Sequence, residues 1–297
     1  MVSFNTRDLL RRCLTTLYDA AAADGLALEV VVVDNASADE SARLVATEFP
    51  QAVLVANERN LGFAAASNLG LRRATGRQLL LLNPDTEVRP GALSALLAFL
   101  EAEPRAACVG PSLIYPDGSP QHSGFRFPTV TTQFLDLFPL HHRLLSSPVN
   151  GRFPLGQTRP FAIDHPLGAC MLLRREALES VGSLDESFFI YVEEVDWCWR
   201  AKKAGWHVYC VPGAVVVHHG AQSTRQFAES MFVELYRSRF RMFAKHYSPW
   251  RRAAARAVIR LGMARLSLRA AWAARRGRLS REQWLARRRA YAAVARL

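Results

Sequence analysis

Short, continuously apolar runs alternate with helix-forming stretches over the first third of the chain. The predicted strands lie at 28–33, 53–55 and 79–82, after a shorter apolar segment at 1–4, and the predicted helices lie at 7–23, 63–74 and 90–103. Strands that are apolar on both faces and are joined by helices are typical of a sheet covered on both sides. We therefore predict an α/β fold with a doubly wound, mostly parallel sheet.

A polar residue follows each of the first four apolar segments. These residues are Asn5, Asp34, Asn60 and Asp85. Ligands of doubly wound sheets collect at the carboxyl ends of the strands. We therefore expect these four side chains to converge on one rim of the sheet.

The pattern is weaker in two places. Met1 to Phe4 has the character of the last half of a strand, which indicates either a start further upstream or a short strand. Residues 111–164 are rich in Pro, Gly and Ser and are predicted to be mostly loop. Beyond them, strands are predicted at 168–173, 208–211 and 214–217, and helices at 175–181 and 188–204.

The net positive charge of the chain comes from its C-terminal segment. The chain of 297 residues has a formal net charge of +12, whereas residues 250–297 contain fourteen Arg and a single acid, Glu282. That segment carries +13, so residues 1–249 together carry −1. A basic tail of this kind favours nucleic acid, an anionic membrane or an acidic partner.

The five cysteines do not form a metal or disulfide pattern. Their spacing is loose and contains no C-x-x-C pair, so we expect reduced, mostly buried thiols in a cytosolic protein. No signal peptide is visible, and no apolar run is long enough to predict a spanning helix.

Three motifs carry candidate chemistry. Asn83-Pro84-Asp85-Thr86 follows four leucines and offers oxygen ligands for a hard divalent cation, although the same residues also suit a plain turn. The segment 188–197 places Glu193, Glu194 and Asp196 among aromatic residues. Mutual repulsion and apolar walls favour a general base there, and a solvated acidic helix start is the alternative.

The third motif is a pair of histidines, and Asp34 is a further candidate. His218 and His219 end an apolar strand and offer a metal ligand or phosphate contact, or are structural. Asp34, followed by Asn35, can accept hydrogen bonds from a nucleotide or can cap a helix. The sequence contains neither a dinucleotide-binding glycine fingerprint nor a P-loop.

Taken in order, these segments resemble family 2 glycosyltransferases, in particular their bacterial rhamnosyltransferase-like branch. The resemblance runs from Val2 to about Arg225. The strings that carry it are VSFNTRDLLRRCL, VVVDNAS, ERNLGFAAASNLGL, LLLNPDTEVRPGAL, GACMLLRREALESVGSLDESFFIYVEEVDWCWRAKKAGW and VVVHHGAQS. It implies a GT-A-type domain with a nucleotide-sugar-binding half at 1–110 and an acceptor-binding, catalytic half at 111–225, followed by a helical, Arg-rich extension at 226–297.

The resemblance also implies roles for matching residues. Those implied to bind the donor are Ser3, Asn5, Asp34, Asn35, Asn60, Gly62, Asn83 and Asp85. Asp85 and His218 would contact Mg²⁺ or Mn²⁺, and Asn83 stands where the family's D-x-D-like motif has its first aspartate. Glu194 would be the base, with Glu193 and Asp196 as further candidates. Trp197 and Gly168 would border the acceptor.

The implied reaction is a single displacement with inversion at the anomeric carbon. Glu194 stands where the family commonly has Asp, so its carboxylate is one methylene further from the backbone. The family favours a deoxythymidine-diphosphate-rhamnose donor. The alternative functions are a non-catalytic nucleotide-sugar-binding module and a sugar nucleotidyltransferase, which would release pyrophosphate.

The tail predicts a cationic amphipathic helix. Arg252, Arg256 and Arg260 recur every four residues, with Trp250, Trp272 and Trp284 as candidate interfacial anchors. Such helices lie on anionic membranes, which indicates a lipid-linked saccharide acceptor and a peripheral location on the inner face of the plasma membrane. The alternative is a helix packed on the enzyme body. Nucleic acid is not expected, because no recognition module accompanies the charge.

Overall fold

The structure is a computed structural model that describes residues 1–220 and 228–297. Among these residues the chain forms two compact units, one of residues 1–127, 153–189 and 193–220 and one of residues 128–152, 190–192 and 228–297. The predicted boundary between residues 225 and 226, and the last three residues of the string VVVHHGAQS, lie outside the described residues.

Helices and strands alternate as far as residue 82, as the pattern predicted, and one short additional strand precedes the helix that ends at residue 102. The helices are α1 (Arg7–Ala23), α2 (Ser41–Glu48), α3 (Phe63–Arg73), α4 (Ala92–Ala102), α5 (Val130–Leu137), α6 (His142–Leu145), α7 (Arg175–Val181), α8 (Glu193–Lys203), α9 (Ala228–His246), α10 (Pro249–Arg275) and α11 (Arg281–Arg296). The strands are β1 (Val2–Ser3), β2 (Val31–Asp34), β3 (Val53–Ala56), β4 (Gln78–Leu82), β5 (Thr86–Val88), β6 (Ala106–Ile114), β7 (Pro120–Gln121), β8 (Gly124–Phe125), β9 (Phe161–Ala162), β10 (His165–Pro166), β11 (Cys170–Arg174) and β12 (His207–His218). The predicted α/β class is confirmed.

The first unit contains a small parallel sheet and a larger mixed one. The first has the order β1-β2-β3, and the second has the order β4-β11-β6-β12-β5, with β7 on β6 and β9 on β12. In the larger sheet β12 runs parallel to β6, whereas β11 is antiparallel to β4 and β6. Hydropathy did not distinguish these directions, because a strand covered on both faces is apolar whichever way it runs.

Three regions beyond residue 105 bear on the predicted elements and boundaries. Strand β6 crosses residue 110 and pairs with β12, so the two predicted halves share one sheet. The region 111–164, which extends into the second unit, is mostly loop as predicted, although it also contains short elements and helix α5. The two predicted strands at 208–211 and 214–217 are one strand, β12, with a register shift between Val211 and Val215.

An aliphatic cavity of about 480 Å³ lies in the first unit, and its wall includes residues of β2 and β4. Beside it, the Met1 ammonium donates a hydrogen bond to the Val31 carbonyl over 2.9 Å. Burial lowers the pKa of that ammonium to about 6. None of the predicted site residues lines this cavity, so we place the candidate site elsewhere.

The second unit is helical. Its core is formed by residues of α5, α9, α10 and α11, namely Leu137, Tyr236, Phe243, Ala255, Ile259, Met263 and Val294. Thr129 caps α5 through a reciprocal pair of hydrogen bonds with Thr132. Across the described ranges, no helix combines the length and apolarity needed to span a bilayer.

Candidate active site

The turn after β4 brings Asp85 to the end of β12. Strand β5 starts at Thr86, which pairs with His218 in the antiparallel register of β5 and β12. This register places Asp85 Oδ1 3.6 Å from His218 Nε2. Both residues are buried, and the His219 amide donates to the Asp85 carbonyl over 2.9 Å, which fixes the turn.

A second contact sets the tautomer of His218. Its Nδ1 lies 2.9 Å from the Oε1 atom of Gln121, which can only accept, so Nδ1 carries the proton. Burial lowers the pKa of His218, against the opposing effect of the Asp85 carboxylate, and so favours the neutral ring. The Nε2 lone pair therefore faces the Asp85 carboxylate, an arrangement that a cation between them would stabilise.

Asn83 supplies a further oxygen close to this pair in sequence. Its amide donates to the Ala169 carbonyl over 2.9 Å, and its carbonyl accepts from Thr86 Oγ1 over 2.7 Å, so its backbone is held at both ends. Within the described residues, the buried Oδ1 atom of its side chain has no hydrogen-bond partner. Burying such an atom costs folding free energy unless a ligand supplies a partner for it.

Glu194 lies against the residues that directly precede β11. A Cβ atom added to Gly168 would lie 3.4 Å from the Cγ and Cδ atoms of Glu194, so glycine makes room for that side chain. Gly168 directly precedes Ala169, whose carbonyl accepts from Asn83. The carboxylate of α8 and the turn that carries Asp85 therefore flank one short stretch of chain.

The other two acids of the motif differ from Glu194. Glu193 is buried, and this burial together with the neighbouring Glu194 charge raises its pKa well above the usual value. Asp196 is fully buried and pairs with Arg200 at 2.9 Å. Arg200 also donates to the carbonyls of Val181 and Ser183, so the structure assigns Asp196 to the support of α8.

Trp197 lies in the core. Its side chain has no exposed surface, and its indole N–H donates to the Gly182 carbonyl over 2.9 Å. This burial favours a structural role for Trp197, and its place beside the acceptor stays a prediction. Gly168, the other residue predicted to border the acceptor, adjoins Glu194.

A closed hydrogen-bond network, centred on Asn35, follows β2. The Asn35 Nδ2 group donates to Asn60 Oδ1 over 2.7 Å and to the Gly62 carbonyl over 3.3 Å. Its Oδ1 atom accepts from Asn57 Nδ2 at 3.1 Å and from the Leu61 amide at 3.0 Å. Asn35 thus shapes the loop that leads into α3.

Only one of the two carboxylate oxygens of Asp34, the preceding residue, accepts a hydrogen bond within the described residues. Its Oδ2 atom accepts from the Ser37 amide over 3.0 Å, whereas its buried Oδ1 atom has no partner among the described residues. The predicted neighbours Ser3 and Asn5 make local contacts. Ser3 Oγ lies 3.1 Å from Thr6 Oγ1, and Asn5 Oδ1 accepts from the Ala38 amide at 2.8 Å.

The backbone joins the Asn35 loop to the segment before the acidic motif. The Phe63 amide donates to the Phe189 carbonyl over 2.6 Å. Gly62 has a φ of +84°, and a Cβ there would come within 2.5 Å of the same carbonyl oxygen, so only glycine fits. The donor-side loop and the chain leading to α8 are therefore in contact.

Strained backbone accompanies these loops. Positive φ angles occur at the non-glycine residues Asn5, Ala36, Tyr191 and Val192, with Glu40 as a further case. Asn5 is itself a predicted donor residue and Ala36 follows Asn35, whereas Tyr191 and Val192 directly precede Glu193. Such strain is concentrated at functional sites, where it is balanced by the surrounding structure.

Sequence reasoning missed two contributors. Gln121 orients His218, and the Phe189 carbonyl holds α3, yet neither residue lies in a polar motif after a strand. Their contacts span 97 and 126 residues, which hydropathy patterns do not reveal. In the described parts of the chain, no group of three or more His, Cys, Asp or Glu side chains is arranged to hold a metal by itself.

The fold and these motifs define a glycosyltransferase, and the comparisons identify its family. The family model described as "Glycosyl transferase family 2" matches residues 1–182, and the chain belongs to this family. The resemblance found in the sequence is thereby confirmed, including its rhamnosyltransferase-like character.

Three similar proteins bear on function and fold. The chain is 31% identical to the N-acetylglucosaminyl-diphospho-decaprenol L-rhamnosyltransferase of Mycobacterium tuberculosis over 80% of this chain and 81% of that protein. It is 25% identical to the dTDP-rhamnosyl transferase RfbF of Shigella flexneri over 64% of this chain and 59% of that one. The mannosyltransferase PcManGT of Pyrobaculum calidifontis, solved with GDP-Man and Mn²⁺, matches with a TM-score of 0.57 and 19% identity over 99% of this chain and 84% of that one, and so shares the GT-A fold.

Proposed function

We propose that this enzyme transfers rhamnose from deoxythymidine-diphosphate-rhamnose to a hydroxyl group of a lipid-linked saccharide, with inversion, during synthesis of a cell-surface polysaccharide. The names of the two rhamnosyltransferase relatives support the sugar, and the decaprenol-linked substrate in one of those names supports the acceptor class. The observation that carries the proposal is that the turn holding Asp85 beside His218 contacts Ala169, while Glu194 lies against Gly168, so both meet the two residues just before β11.

The residues around Asp85 fit a divalent cation that also binds a diphosphate. Two neighbouring ligands of one octahedral Mg²⁺ at about 2.1 Å each lie roughly 3 Å apart, so the 3.6 Å between Asp85 Oδ1 and His218 Nε2 would shorten by about 0.6 Å around the ion. Mg²⁺ commonly takes only one or two protein ligands beside phosphate oxygens, so a full protein cage is not required. When bound, Mg²⁺ or Mn²⁺ supplies electrostatic stabilisation of the departing diphosphate.

Glu194 acts as the general base. Its carboxylate takes the proton of the acceptor hydroxyl while that oxygen forms a bond to the anomeric carbon. The bond from this carbon to the diphosphate oxygen breaks, and its electron pair leaves with the nucleoside diphosphate. The Gly168 backbone leaves space beside the base, and burial raises the pKa of Glu193, which disfavours a second charge next to Glu194.

Donor recognition rests on Asp34. Its unpartnered, buried Oδ1 atom accepts a hydrogen bond from the base or the ribose of the nucleotide. The Asn35 network holds the adjoining loop, and Ser3 and Asn5 line the start of the same pocket. The Asn83 Oδ1 atom binds the cation, because an amide oxygen can be a metal ligand but cannot donate a hydrogen bond to the diphosphate.

The C-terminal helices place the enzyme on the inner face of the plasma membrane. Fourteen arginines lie between residues 250 and 297, and anionic lipids attract such segments. All five cysteines are buried free thiols, in keeping with a reducing compartment.

The test is a panel of nucleotide sugars measured by thermal shift and by product analysis, with Mn²⁺, with Mg²⁺ and with a chelator. We expect deoxythymidine-diphosphate-rhamnose with metal to raise the Tm most and to yield a nucleoside diphosphate when a polyprenyl-linked saccharide is added. An Asp34→Ala variant should lose the shift. Release of pyrophosphate, or binding without any turnover, would reject the proposal in favour of a nucleotidyltransferase or a binding module.

A further inference from the structure

One face of α10 exposes four large apolar side chains. Trp250, Leu261, Leu268 and Trp272 are exposed to 69, 64, 73 and 49%. They are eleven, seven and four residues apart, which at about 100° per residue places them within an arc of roughly 40° along ~33 Å of helix. We call these four side chains the α10 stripe.

The core of the second unit fixes which way this stripe points. Ala255, Ile259 and Met263 are buried on the opposite face of the helix. A Cβ atom at Gly262 would lie 2.6 Å from the Leu137 side chain, so α10 touches α5 at glycine distance. The Arg265 guanidinium also donates to the Leu137 carbonyl over 2.8 Å. Helix α10 cannot rotate without losing these contacts, so the stripe stays outside the core of this unit.

Arginine surrounds the stripe. Helix α10 contains no acidic residue, and in the part of the chain that the structure describes no arginine between 251 and 296 forms an ion pair with an Asp or Glu side chain. The Arg251 guanidinium lies 5.6 Å from the ring centre of Trp250, and that of Arg276 lies 3.8 Å from Trp272. Each end of the stripe therefore pairs an indole ring with a cation.

We propose that the α10 stripe inserts among the headgroups of an anionic lipid surface, with the helix parallel to the membrane and the flanking arginines at the phosphates. This inference takes the membrane location from the proposed function and adds which surface of the protein binds the lipid. Indole rings and arginine are the side chains that favour the interface, while leucine enters the acyl boundary. A second copy of the chain fits less well, because two arginine-bordered stripes repel each other.

The test is sedimentation of the full chain with phosphatidylcholine vesicles, with and without phosphatidylglycerol. We expect binding only to the anionic vesicles and binding at least about tenfold weaker for the double variant Leu261→Gln, Leu268→Gln. Both leucines are largely exposed, so the variant should keep its Tm. The matched control is Leu140→Gln, whose side chain is 68% exposed in the same unit but outside the stripe, and it should bind like the wild type.

Three outcomes would overturn the inference: vesicle binding unchanged in the double variant, equal binding to neutral vesicles, or a change of oligomeric state in place of vesicle binding. Transfer to a water-soluble acceptor separates this inference from the proposed function. The double variant should retain that transfer. Vesicle binding without any transfer would refute the proposed function but support lipid binding by the α10 stripe. Transfer without stripe-dependent binding would support the proposed function but refute lipid binding by the stripe.

Discussion

The loop network around Asn35 and the rim around Asp85 are built from similar residues but differ in how far their hydrogen bonds are completed. Both follow apolar strands and contain buried Asn or Asp side chains. Asn35 makes four hydrogen bonds within the protein. On the rim, by contrast, buried oxygens of Asn83 and Glu193 have no partner among the described residues.

This difference separates scaffold from binding surface. A buried oxygen without a partner costs about 1–3 kcal/mol of folding free energy, so a fold tolerates it where a ligand completes it. Asp34 combines both properties in one carboxylate, since one oxygen is held by Ser37 and the other is unpartnered among the described residues. The interpretation is that Asn35 builds the pocket and that Asp34, Asn83 and Asp85 face the ligand.

The largest expected effect is that of Asp85→Ala. Loss of the carboxylate beside His218 should lower kcat/KM by about 10³-fold or more, because the diphosphate would depart without its cation. The measurement is steady-state transfer over a range of Mn²⁺ concentrations, together with a thermal melt. The matched control is Asp24→Asn, whose carboxylate accepts from the Gly91 and Ser94 amides at 2.7 and 2.9 Å. This control should lower stability by about 1 kcal/mol and leave kcat unchanged. Equal losses of activity in both variants would abolish the distinction between rim and scaffold.

The next effect divides the acidic motif. Glu194→Gln should lower kcat by about 10²–10³-fold with little change in the free energy of unfolding, because it removes a base while keeping the size of the side chain. Asp196→Asn should instead lower the free energy of unfolding by about 3 kcal/mol, since it breaks a buried pair with Arg200. Pre-steady-state transfer and denaturant titration measure the two quantities. If Asp196→Asn lost turnover with normal stability, the assignment of the base would move to Asp196.

The sequence indicated which residues are candidates for the site, but it did not indicate how the fold holds each of them. Polar residues after apolar strands pointed to Asp34 and Asp85, and the run of acids among aromatic residues pointed to Glu194, because these features are local. Asp196 and Trp197 belong to the same run, yet one pairs with Arg200 and the other fills the core. Whether a residue of this run forms an ion pair or fills the core depends on the helix face that carries it and on how that face lies against the sheet. A short acidic-aromatic string does not contain that information.

The C-terminal helices show the same limit. The sequence predicted a cationic amphipathic helix, and the charge is as expected. Its apolar face could not be assigned correctly, because α10 has apolar residues on two faces. Val258 packs toward the core of the second unit, whereas Leu261 and Leu268 are exposed. Tertiary contacts, such as those of Gly262 and Arg265 with Leu137, distinguish these two faces.

The smallest effect tests the scaffold itself. Asn35→Ala removes a side chain that ties Asn57, Asn60 and the following backbone together, and it should lower the free energy of unfolding by about 2–3 kcal/mol. It should also raise the KM for the donor several-fold without a comparable loss of kcat, because the loop beside Asp34 loses its shape. Denaturant titration and donor-dependent kinetics measure the two effects.

The matched variant is Asn68→Ala. Asn68 is also buried, and it exchanges hydrogen bonds with the backbone of Leu184 and with Glu186. Its loss should cost similar stability but leave the donor KM unchanged, since those contacts hold the chain after α7 and not the loop beside Asp34. A donor KM that rises equally in both variants would mean that general loosening of the fold, rather than the Asn35 loop, controls the pocket. An unchanged KM in Asn35→Ala would place the nucleotide away from Asp34, and the distinction between completed and uncompleted hydrogen bonds would then no longer locate the donor.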